Sequence, residues 1–312
     1  MQKTCGLLES EPSSVRPHDS MGRTGGLLYL DPDKVTVLLP DIHARMDMVR
    51  ECLNLVLPTL EGESAPLSRG LEEGWAQLVC VGDYVHGESR VYDRWLMAQQ
   101  EFLNDFRHHK AMDQEMTESL GTVELLMHLK LAFPNQIHLL KGNHENITNE
   151  EGHGNHPFRK FAQEGPMVFD WMQRFYPENI LSSFDRLEKN YPLVAVGDTF
   201  LVSHAEPLRF FDPSEVIEYR SRPDVVMGLT WTENNRAQDG AVEEMLSVYL
   251  GLEPNSELWN QAYHFAGHRV VTGLYQTRAM GRFVQFHNPN LRIAAILHPQ
   301  RSTLLDRDIL SF

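Results

Sequence analysis

The sequence predicts an α/β fold, and three observations support that prediction. From Lys34 onward, short apolar runs alternate with longer segments of helical periodicity. The apolar runs tend to end abruptly in polar residues. With 312 residues, of which 42% are hydrophobic and 23% charged, the chain has an ordinary globular composition and is long enough to bury a core. We found no internal repeat, and no linker divides the chain.

Apolar runs mark the predicted strands. Residues 34–39 read KVTVLL, a β-branched and apolar run typical of a strand that is buried on both faces. Further runs of this kind predict strands over residues 77–81, 135–140, 193–196, 200–202, 263–266, 283–286 and 293–297.

Apolar residues at spacings of three and four mark the predicted helices. One helix is predicted over residues 49–60 and breaks near Pro58. Residues 91–133 are expected to form two helices, and residues 242–250 one more. Residues 60–74 are rich in Glu, Gly, Pro and Ser, which predicts a loop.

The N-terminal segment is expected to stand apart from the folded part of the chain. Residues 1–26 are polar and rich in Ser, Pro and Gly, and we predict a flexible tail there. Residues 27–312 are then a single domain, with residues 91–133 as a helical insertion. The N-terminal segment has no apolar run long enough for a signal peptide or a membrane span, which favours a cytoplasmic protein that does not bind membranes.

Charge and cysteine content narrow the function classes. The 28 Lys and Arg against 43 Asp and Glu leave a net charge of −15, which argues against bulk attraction to nucleic acid or to an anionic membrane. Three cysteines without a CxxC pair support neither a disulfide framework nor a thiolate zinc site. Fifteen histidines make imidazole and carboxylate the expected metal ligands, which suit borderline or hard divalent ions.

Side chains that bind metals follow five of the predicted strands. Ligands of α/β proteins gather outside the carboxyl ends of strands, so we expect these side chains to converge. Asp41 and His43 lie two residues apart and leave the same face of an extended backbone. The full set is Asp41 and His43, Asp83, Asn143 and His144, His204, and His268.

This donor set indicates a reaction at phosphorus. Without His144, the set offers three imidazoles, two carboxylates and one amide, which suit a pair of divalent ions such as Mn, Fe or Zn, with one carboxylate bridging. Two ions about 3.5 to 4 Å apart lower the pKa of a bound water and hold both oxygens of an in-line displacement. Hydrolysis of phosphate esters is the reaction that the pattern predicts.

Five motifs, in order, resemble the signatures of calcineurin-like metallophosphoesterases. They are PDIH at 40–43, GDYVHG at 82–87, KGNHE at 141–145, VSHAEP at 202–207 and AGHRVV at 266–271. The chain is most similar to the phosphoprotein phosphatase branch, the serine/threonine phosphatases and their bacterial relatives, which favours a bacterial source. The resemblance runs from about residue 34 to about residue 297. It implies a central β-sandwich flanked by helices, with two metals in the loops at the strand ends.

The resemblance also implies a role for each matching residue. The metal ligands are Asp41, His43, Asp83, Asn143, His204 and His268, with Asp83 bridging the two ions. His144 is the acid that protonates the leaving oxygen, so that Asp83 and His144 are the expected catalytic residues. Asn235-Arg236 resembles a phosphate-binding segment, and Arg236, Arg45, Asn143 and His144 are the expected substrate contacts.

One motif departs from the family. Where the family has Gly-Asp-x-Val-Asp-Arg-Gly, this chain has His86 and Gly87 in place of the second Asp and the Arg. In the family that Asp hydrogen-bonds the acid histidine and favours its protonated form, and the Arg holds phosphate oxygens bidentately. The candidates to replace them from shifted positions are Glu88 together with Arg45, Arg90 or Arg236.

Three functions therefore stay open. The first is a phosphomonoesterase of the phosphoprotein phosphatase type, in which a metal-bridging hydroxide attacks phosphorus and no covalent enzyme intermediate forms. The second is a small-molecule phosphohydrolase, for example on dinucleoside polyphosphates. The third is a metal-binding regulatory protein that has lost turnover, against which the full ligand set argues. The expected substrate is a phosphoprotein or a small phosphate ester.

Overall fold

The computed structural model describes residues 1–254 and 256–312. Its strands are β1 (Leu27–Tyr29), β2 (Val35–Leu39), β3 (Val56–Pro58), β4 (Ser64–Pro66), β5 (Ala76–Cys80), β6 (Ile137–Leu139), β7 (Val194–Val196), β8 (Phe200–Ser203), β9 (Tyr263–Val270), β10 (Gln276–Arg278), β11 (Phe283–His287), β12 (Ile293–Leu297) and β13 (Ile309–Ser311). Its helices are α1 (Gln2–Glu9), α2 (Met46–Cys52), α3 (Leu67–Glu73), α4 (Tyr92–Leu103), α5 (Lys110–Ala132), α6 (Glu164–Phe175), α7 (Glu178–Glu188), α8 (Pro213–Ile217), α9 (Pro223–Thr230), α10 (Ala241–Leu250) and α11 (Leu305–Asp308).

Two large sheets form the centre of the fold. One has the order β13-β12-β2-β5-β6, with β2, β5 and β6 parallel, and the other has the order β1-β7-β8-β9-β11-β10, with β8, β9 and β11 parallel. A short hairpin of β3 and β4 stands apart from both. The predicted α/β class is thereby confirmed.

The sheets pack face to face with helices outside them. Leu38 of β2 lies in a buried cluster with Val202 and Phe265 of the other sheet, whereas its neighbours Val37 and Leu39 point into a second cluster with the helices. A third cluster joins α9 and α10 to the other sheet. Successive residues of one strand thus face two different cores. A strand buried on both faces needs apolar residues throughout, which is why these runs are continuous in the sequence.

Most predicted elements of the central sheets agree with the structure, but the segment after β2 differs. The helix predicted over residues 49–60 ends at Cys52, and Val56–Pro58 is a strand instead. The predicted loop at 60–74 contains helix Leu67–Glu73, which ends on Gly74 in the left-handed conformation. Proline is disfavoured in the interior of a helix, and β-branched residues favour strands. Val56 and Pro58 therefore favour a strand over a continued helix in this segment.

The N-terminal segment also differs from the prediction of a flexible tail. Residues 2–9 form helix α1, which packs on α5 and α7 and buries Cys5 and Leu8. Glu11 then forms ion pairs with the buried Arg16 at 3.1 Å and with the buried Lys130 at 2.8 Å. The sequence did not predict this helix, because its two buried apolar residues, Cys5 and Leu8, can anchor two turns but do not form a periodic pattern.

Among the described residues, no helix is both long enough and apolar enough to cross a membrane.

Candidate metal centre

The predicted ligands come together where the two sheets present their strand ends. Asp41 and His43 follow β2, Asp83 follows β5, and Asn143 follows β6. From the other sheet, His204 follows β8. His268 lies within β9, where the pairing of β9 with β11 shifts its register.

The backbone at this edge is bent to aim the ligands. His43, Asp83 and His268 have φ values of 46°, 52° and 64°, in the left-handed region that non-glycine residues rarely adopt. Glycines provide the space, because a β-carbon at Gly142 would overlap Asp83 Oδ1 and one at Gly267 would overlap Asp41 Oδ1. Strain concentrated at converging polar residues is typical of a functional site.

The side chains form two groups that share one carboxylate oxygen. Oδ2 of Asp83 lies 3.7 Å from His43 Nε2 on one side and 3.4 Å from His204 Nε2 on the other. Asp41 Oδ2 lies 3.8 Å from the same His43 nitrogen.

Asn143 completes the second group. Its Oδ1 lies 2.9 Å from His204 Nε2 and 2.9 Å from His268 Nδ1. The structure therefore brings together all six ligands that the resemblance implied.

The residues present fit divalent cations. Asp41 and Asp83 are buried, and among the described residues no Lys or Arg forms an ion pair with either. Nε2 of His268 and Nδ1 of His287 are buried without a hydrogen-bond partner. Buried carboxylates and unpartnered nitrogens are costly unless something binds them. Nitrogen and oxygen donors in this proportion suit Mn, Fe or Zn.

Hydrogen bonds to backbone carbonyls fix the ring tautomers of two candidate ligands, His43 and His204. His43 Nδ1 faces the carbonyl of His86 at 3.0 Å, and His204 Nδ1 faces the carbonyl of Val81 at 3.1 Å. Because a carbonyl only accepts, the Nδ1 atoms donate and each Nε2 is directed to the centre. Glu145 accepts from the backbone N–H groups of Asp83 and Gly142 at 2.9 and 2.7 Å, which holds two ligand loops together.

The charges of the site shift its pKa values in both directions. Burial alone would raise the pKa of Asp83, but the imidazoles of His144 and His204 outweigh it and hold the pKa well below its usual range. Burial would lower the pKa of His204, but the carboxylates of Asp83 and Asp41 outweigh it and raise the pKa to about 9. Burial and then the Asp83 charge raise the pKa of Glu145 to about 7. The Asp83 carboxylate is thus held in its negative form, and positive charge is favoured on the His204 ring beside it.

His144 lies beside the shared carboxylate. Its backbone N–H donates to Asp83 Oδ1 at 3.0 Å, and its Nε2 lies 3.6 Å from Asp83 Oδ2. On its other side, Nδ1 faces Nδ1 of His86 at 3.0 Å. The Phe158 ring covers it, with centroids 3.6 Å apart. Burial lowers the pKa of His144 well below its usual value and that of His86 to about 3.

His287, at the end of β11, was not recognised in the sequence. Its Nδ1 lies 3.9 Å from Asp41 Oδ2, and its Nε2 bonds Glu88 Oε2 at 2.9 Å. The other oxygen of Glu88 lies 3.6 Å from His43 Nε2 and 2.9 Å from Lys160 Nζ. Glu88 was one of the candidates named after the altered motif. The only sequence signal for His287 was a histidine that directly follows a predicted strand.

The arginines predicted to contact substrate lie in different surroundings. Arg45 is largely enclosed, and its guanidinium donates to the backbone carbonyls of Asp41, Ile42, Pro289 and Leu291 at 3.1 to 3.3 Å. Arg90 donates to the carbonyls of His43 and Ala44 and to Glu118. Arg236 is exposed. Arg90 is exposed as well.

Comparison with known proteins identifies the family and the fold. A model of the calcineurin-like phosphoesterase family matches residues 35–295, most of the chain. No curated protein sequence matches the chain at a significant level.

Among solved structures, the chain is similar to a protein serine/threonine phosphatase from Saccharomyces cerevisiae that itself has similarity to human phosphatase PP5. The two are 15% identical with a TM-score of 0.58, over 100% of this chain and 86% of that one. A cold-active protein-tyrosine phosphatase from a Shewanella species is 14% identical with a TM-score of 0.49, over 98% and 84% of the two chains. At such identities, the likeness to the yeast enzyme shows a shared fold.

Proposed function

Because the chain belongs to the calcineurin-like phosphoesterase family and is therefore a hydrolase of phosphate esters, we propose that it hydrolyses phosphate monoesters with two divalent ions. Asp41, His43 and Asp83 would hold the first ion. Asp83, Asn143, His204 and His268 would hold the second. The observation that carries this proposal is the position of Asp83 Oδ2, within 3.7 Å of a ligand nitrogen in each group.

When bound, the ions supply an activated water for attack on phosphorus and neutralise phosphate charge. The chain's own residues do the rest. We propose that the Asn143 amide and the His144 ring contact phosphate oxygens, and the His144 ring lies beside the shared carboxylate. His144 Nε2 faces the centre and is the proposed donor of the proton that the leaving oxygen needs.

A cation at the edge of the site supports binding of an anionic substrate. Lys160 lies in the segment between β6 and α6, and its Nζ contacts Glu88 at 2.9 Å. Gly87 provides no side-chain donor where the family has an arginine. We therefore propose that Lys160 and the exposed Arg236 bind the negatively charged phosphate. Arg45 is less suited to this role, because its donors are already bonded to backbone carbonyls.

Hydrolysis should be tested on the metal-stripped protein. We expect Mn, Fe, Co or Zn to restore cleavage of a generic aryl phosphate, and two ions to bind per chain. If none of these ions restores hydrolysis although they bind, the chain is a binding or regulatory protein. The three free, buried cysteines suit a reducing compartment, so we propose a cytoplasmic location.

The substrate class needs a second experiment. Hydrolysis of a phosphoprotein and of a dinucleoside polyphosphate both need an activated water that attacks phosphorus, so the metal centre alone does not separate them. A panel of phosphorylated peptides, dinucleoside polyphosphates and phosphodiesters separates them. We expect the highest kcat/KM on phosphopeptides, and a preference for dinucleoside polyphosphates would assign the second function.

A further inference from the structure

Glu88 and His287 form a buried pair beside the first metal group. Glu88 is 7% exposed and His287 is fully buried, and the two come from positions 199 residues apart. Glu88 Oε2 and His287 Nε2 are 2.9 Å apart, an ordinary charge-assisted hydrogen bond. The carboxylate can only accept, so His287 carries a proton on Nε2.

This hydrogen bond leaves the other ring nitrogen available. A neutral imidazole with its proton on Nε2 has a lone pair on Nδ1. His287 Nδ1 is buried and has no hydrogen-bond partner among the described residues. It lies 3.9 Å from Asp41 Oδ2, which is too long for a hydrogen bond.

The distance of 3.9 Å between His287 Nδ1 and Asp41 Oδ2 is typical of two ligands that bind the same ion. The donor atoms of Asp41, His43 and His287 all lie within 4.8 Å of one another. Metal bonds of about 2.0 to 2.2 Å place two ligands of one ion on the order of 4 Å apart or closer. The unpartnered nitrogen thus points at the position where Asp41 and His43 would bind the first ion.

The same strand irregularity positions two histidines. β11 pairs with β9 in regular register up to Gln285, opposite Ala266, and then shifts so that His287 lies opposite Val270. The shift takes in His268, whose φ is 64°. A bulge redirects side chains, and here it turns one histidine toward each metal group.

We propose that His287 is an additional protein ligand of the first ion, through Nδ1, and that Glu88 is a positioning residue that holds its tautomer. This inference rests on the two-ion site of the proposed function and goes beyond the six ligands that the sequence indicated. A carboxylate that receives the second N–H of a ligating histidine is a recurring device in metal sites. Lys160 balances the charge of Glu88 from the solvent side. A second imidazole makes this position a better match for Fe or Zn than for Mg.

Metal binding to the full-length, metal-stripped protein tests the assignment. Calorimetric titration with Zn or Mn should give two sites for the wild type. We expect His287→Gln to weaken one of the two sites by about 100-fold or more and to leave the other unchanged. Glu88→Gln keeps a hydrogen-bond acceptor but loses the charge, so we expect a loss of roughly 10-fold at the same site.

The control is another buried histidine outside the centre. His138→Gln, on β6, should bind both ions with wild-type affinity. With Co as a spectroscopic probe, His287→Gln should change the visible absorption of one ion only, whereas His138→Gln should change neither.

Wild-type affinities at both sites in a folded His287→Gln variant would overturn the assignment. If circular dichroism shows that His287→Gln does not fold, Glu88→Gln decides, and unchanged binding in that variant also overturns it. A failure of the underlying function gives a different result, because the wild type itself would then bind fewer than two ions or hydrolyse no phosphate ester.

Discussion

His86 and His144 face each other through their Nδ1 atoms at 3.0 Å, with Phe158 packed against both rings. One ring must donate to the other, so a neutral histidine occupies the place where related phosphatases have a carboxylate. A neutral partner stabilises an imidazolium less than a carboxylate does. His144, the proposed acid, is therefore supported more weakly than the family pattern would suggest.

Restoring the carboxylate should strengthen acid catalysis. We expect His86→Asp to raise kcat roughly several-fold on alkyl phosphates, which are poor leaving groups, and to change kcat little on nitrophenyl phosphate. The matched control is His86→Asn, which has a similar size and no charge. Equal effects of the two variants on alkyl phosphates would contradict the explanation.

Removing the proposed acid, His144, should separate metal binding from turnover. We expect His144→Asn to retain both ions and to lose about 10²- to 10⁴-fold in kcat on poor leaving groups, with a smaller loss on good ones. Rates on a series of aryl phosphates measure the difference, as a steeper dependence on leaving-group pKa. The proton would have another source if the loss were the same across the series.

The shared carboxylate should be needed by both ions. Asp83→Asn keeps the shape of the side chain but removes the charge that faces His43 and His204. We expect activity to fall to background and both ions to bind more weakly, as measured by metal analysis after gel filtration. Near-normal metal content and rate in this variant would remove Asp83 from the centre.

Two arginines should differ in what their loss changes. Arg236 is exposed, so we expect Arg236→Ala to raise KM several-fold, roughly as the loss of one charged contact does, with little change in melting temperature. Arg45→Ala leaves backbone carbonyls near Pro289 and Leu291 without donors, and we expect about 1–3 kcal/mol of destabilisation with a smaller effect on KM. Steady-state kinetics and thermal melts of the two variants test this prediction. A larger rise in KM for Arg45→Ala than for Arg236→Ala would place Arg45 at the substrate.

His138 should make stability sensitive to acid. Burial, reinforced by Lys130 and Lys34, lowers the pKa of this histidine well below its ordinary 6.5. As the pH falls through 6.5, the unfolded chain takes up a proton at this position and the folded chain does not, so acid favours unfolding. The contribution from a ring that stays neutral in the folded state is about 2 kcal/mol between pH 7 and pH 5.

The variant His138→Leu removes this titration. Urea denaturation of the metal-free protein at the two pH values should show a smaller loss of stability in His138→Leu than in the wild type. Parallel losses in the two proteins would mean that the folded state accommodates the charged ring.

The sequence was most informative where a strand is buried on both faces. Residues 35–39 and 293–297 are buried throughout, and such largely apolar runs stand out in the sequence. The hairpin of Val56–Pro58 with Ser64–Pro66 has three-residue strands outside the main sheets, and no periodic pattern can develop over that length. Helix Gln2–Glu9 is held by contacts with α5 and α7, which are remote in the sequence.

The same distinction holds for the candidate centre. Residues that directly follow strands, such as Asp83 and Asn143, could be picked out because strand ends meet at one edge. Contacts between residues that are remote in the sequence could not be predicted. Glu88 contacts His287 at the end of β11, where the pairing with β9 shifts register, and Lys160 contacts Glu88 from a loop without a recognisable motif. Roles that depend on such contacts require the folded geometry.

The ion pairs of Glu11 with Arg16 and Lys130 have a practical consequence for anyone preparing this enzyme. Replacing Glu11 with Ala would leave the Lys130 ammonium, which is 1% exposed, sealed inside without its counter-ion. Stranding a charge in this way costs about 3–5 kcal/mol, a large share of the stability of most domains. Expression vectors should therefore retain residues 1–16, which are part of the folded structure.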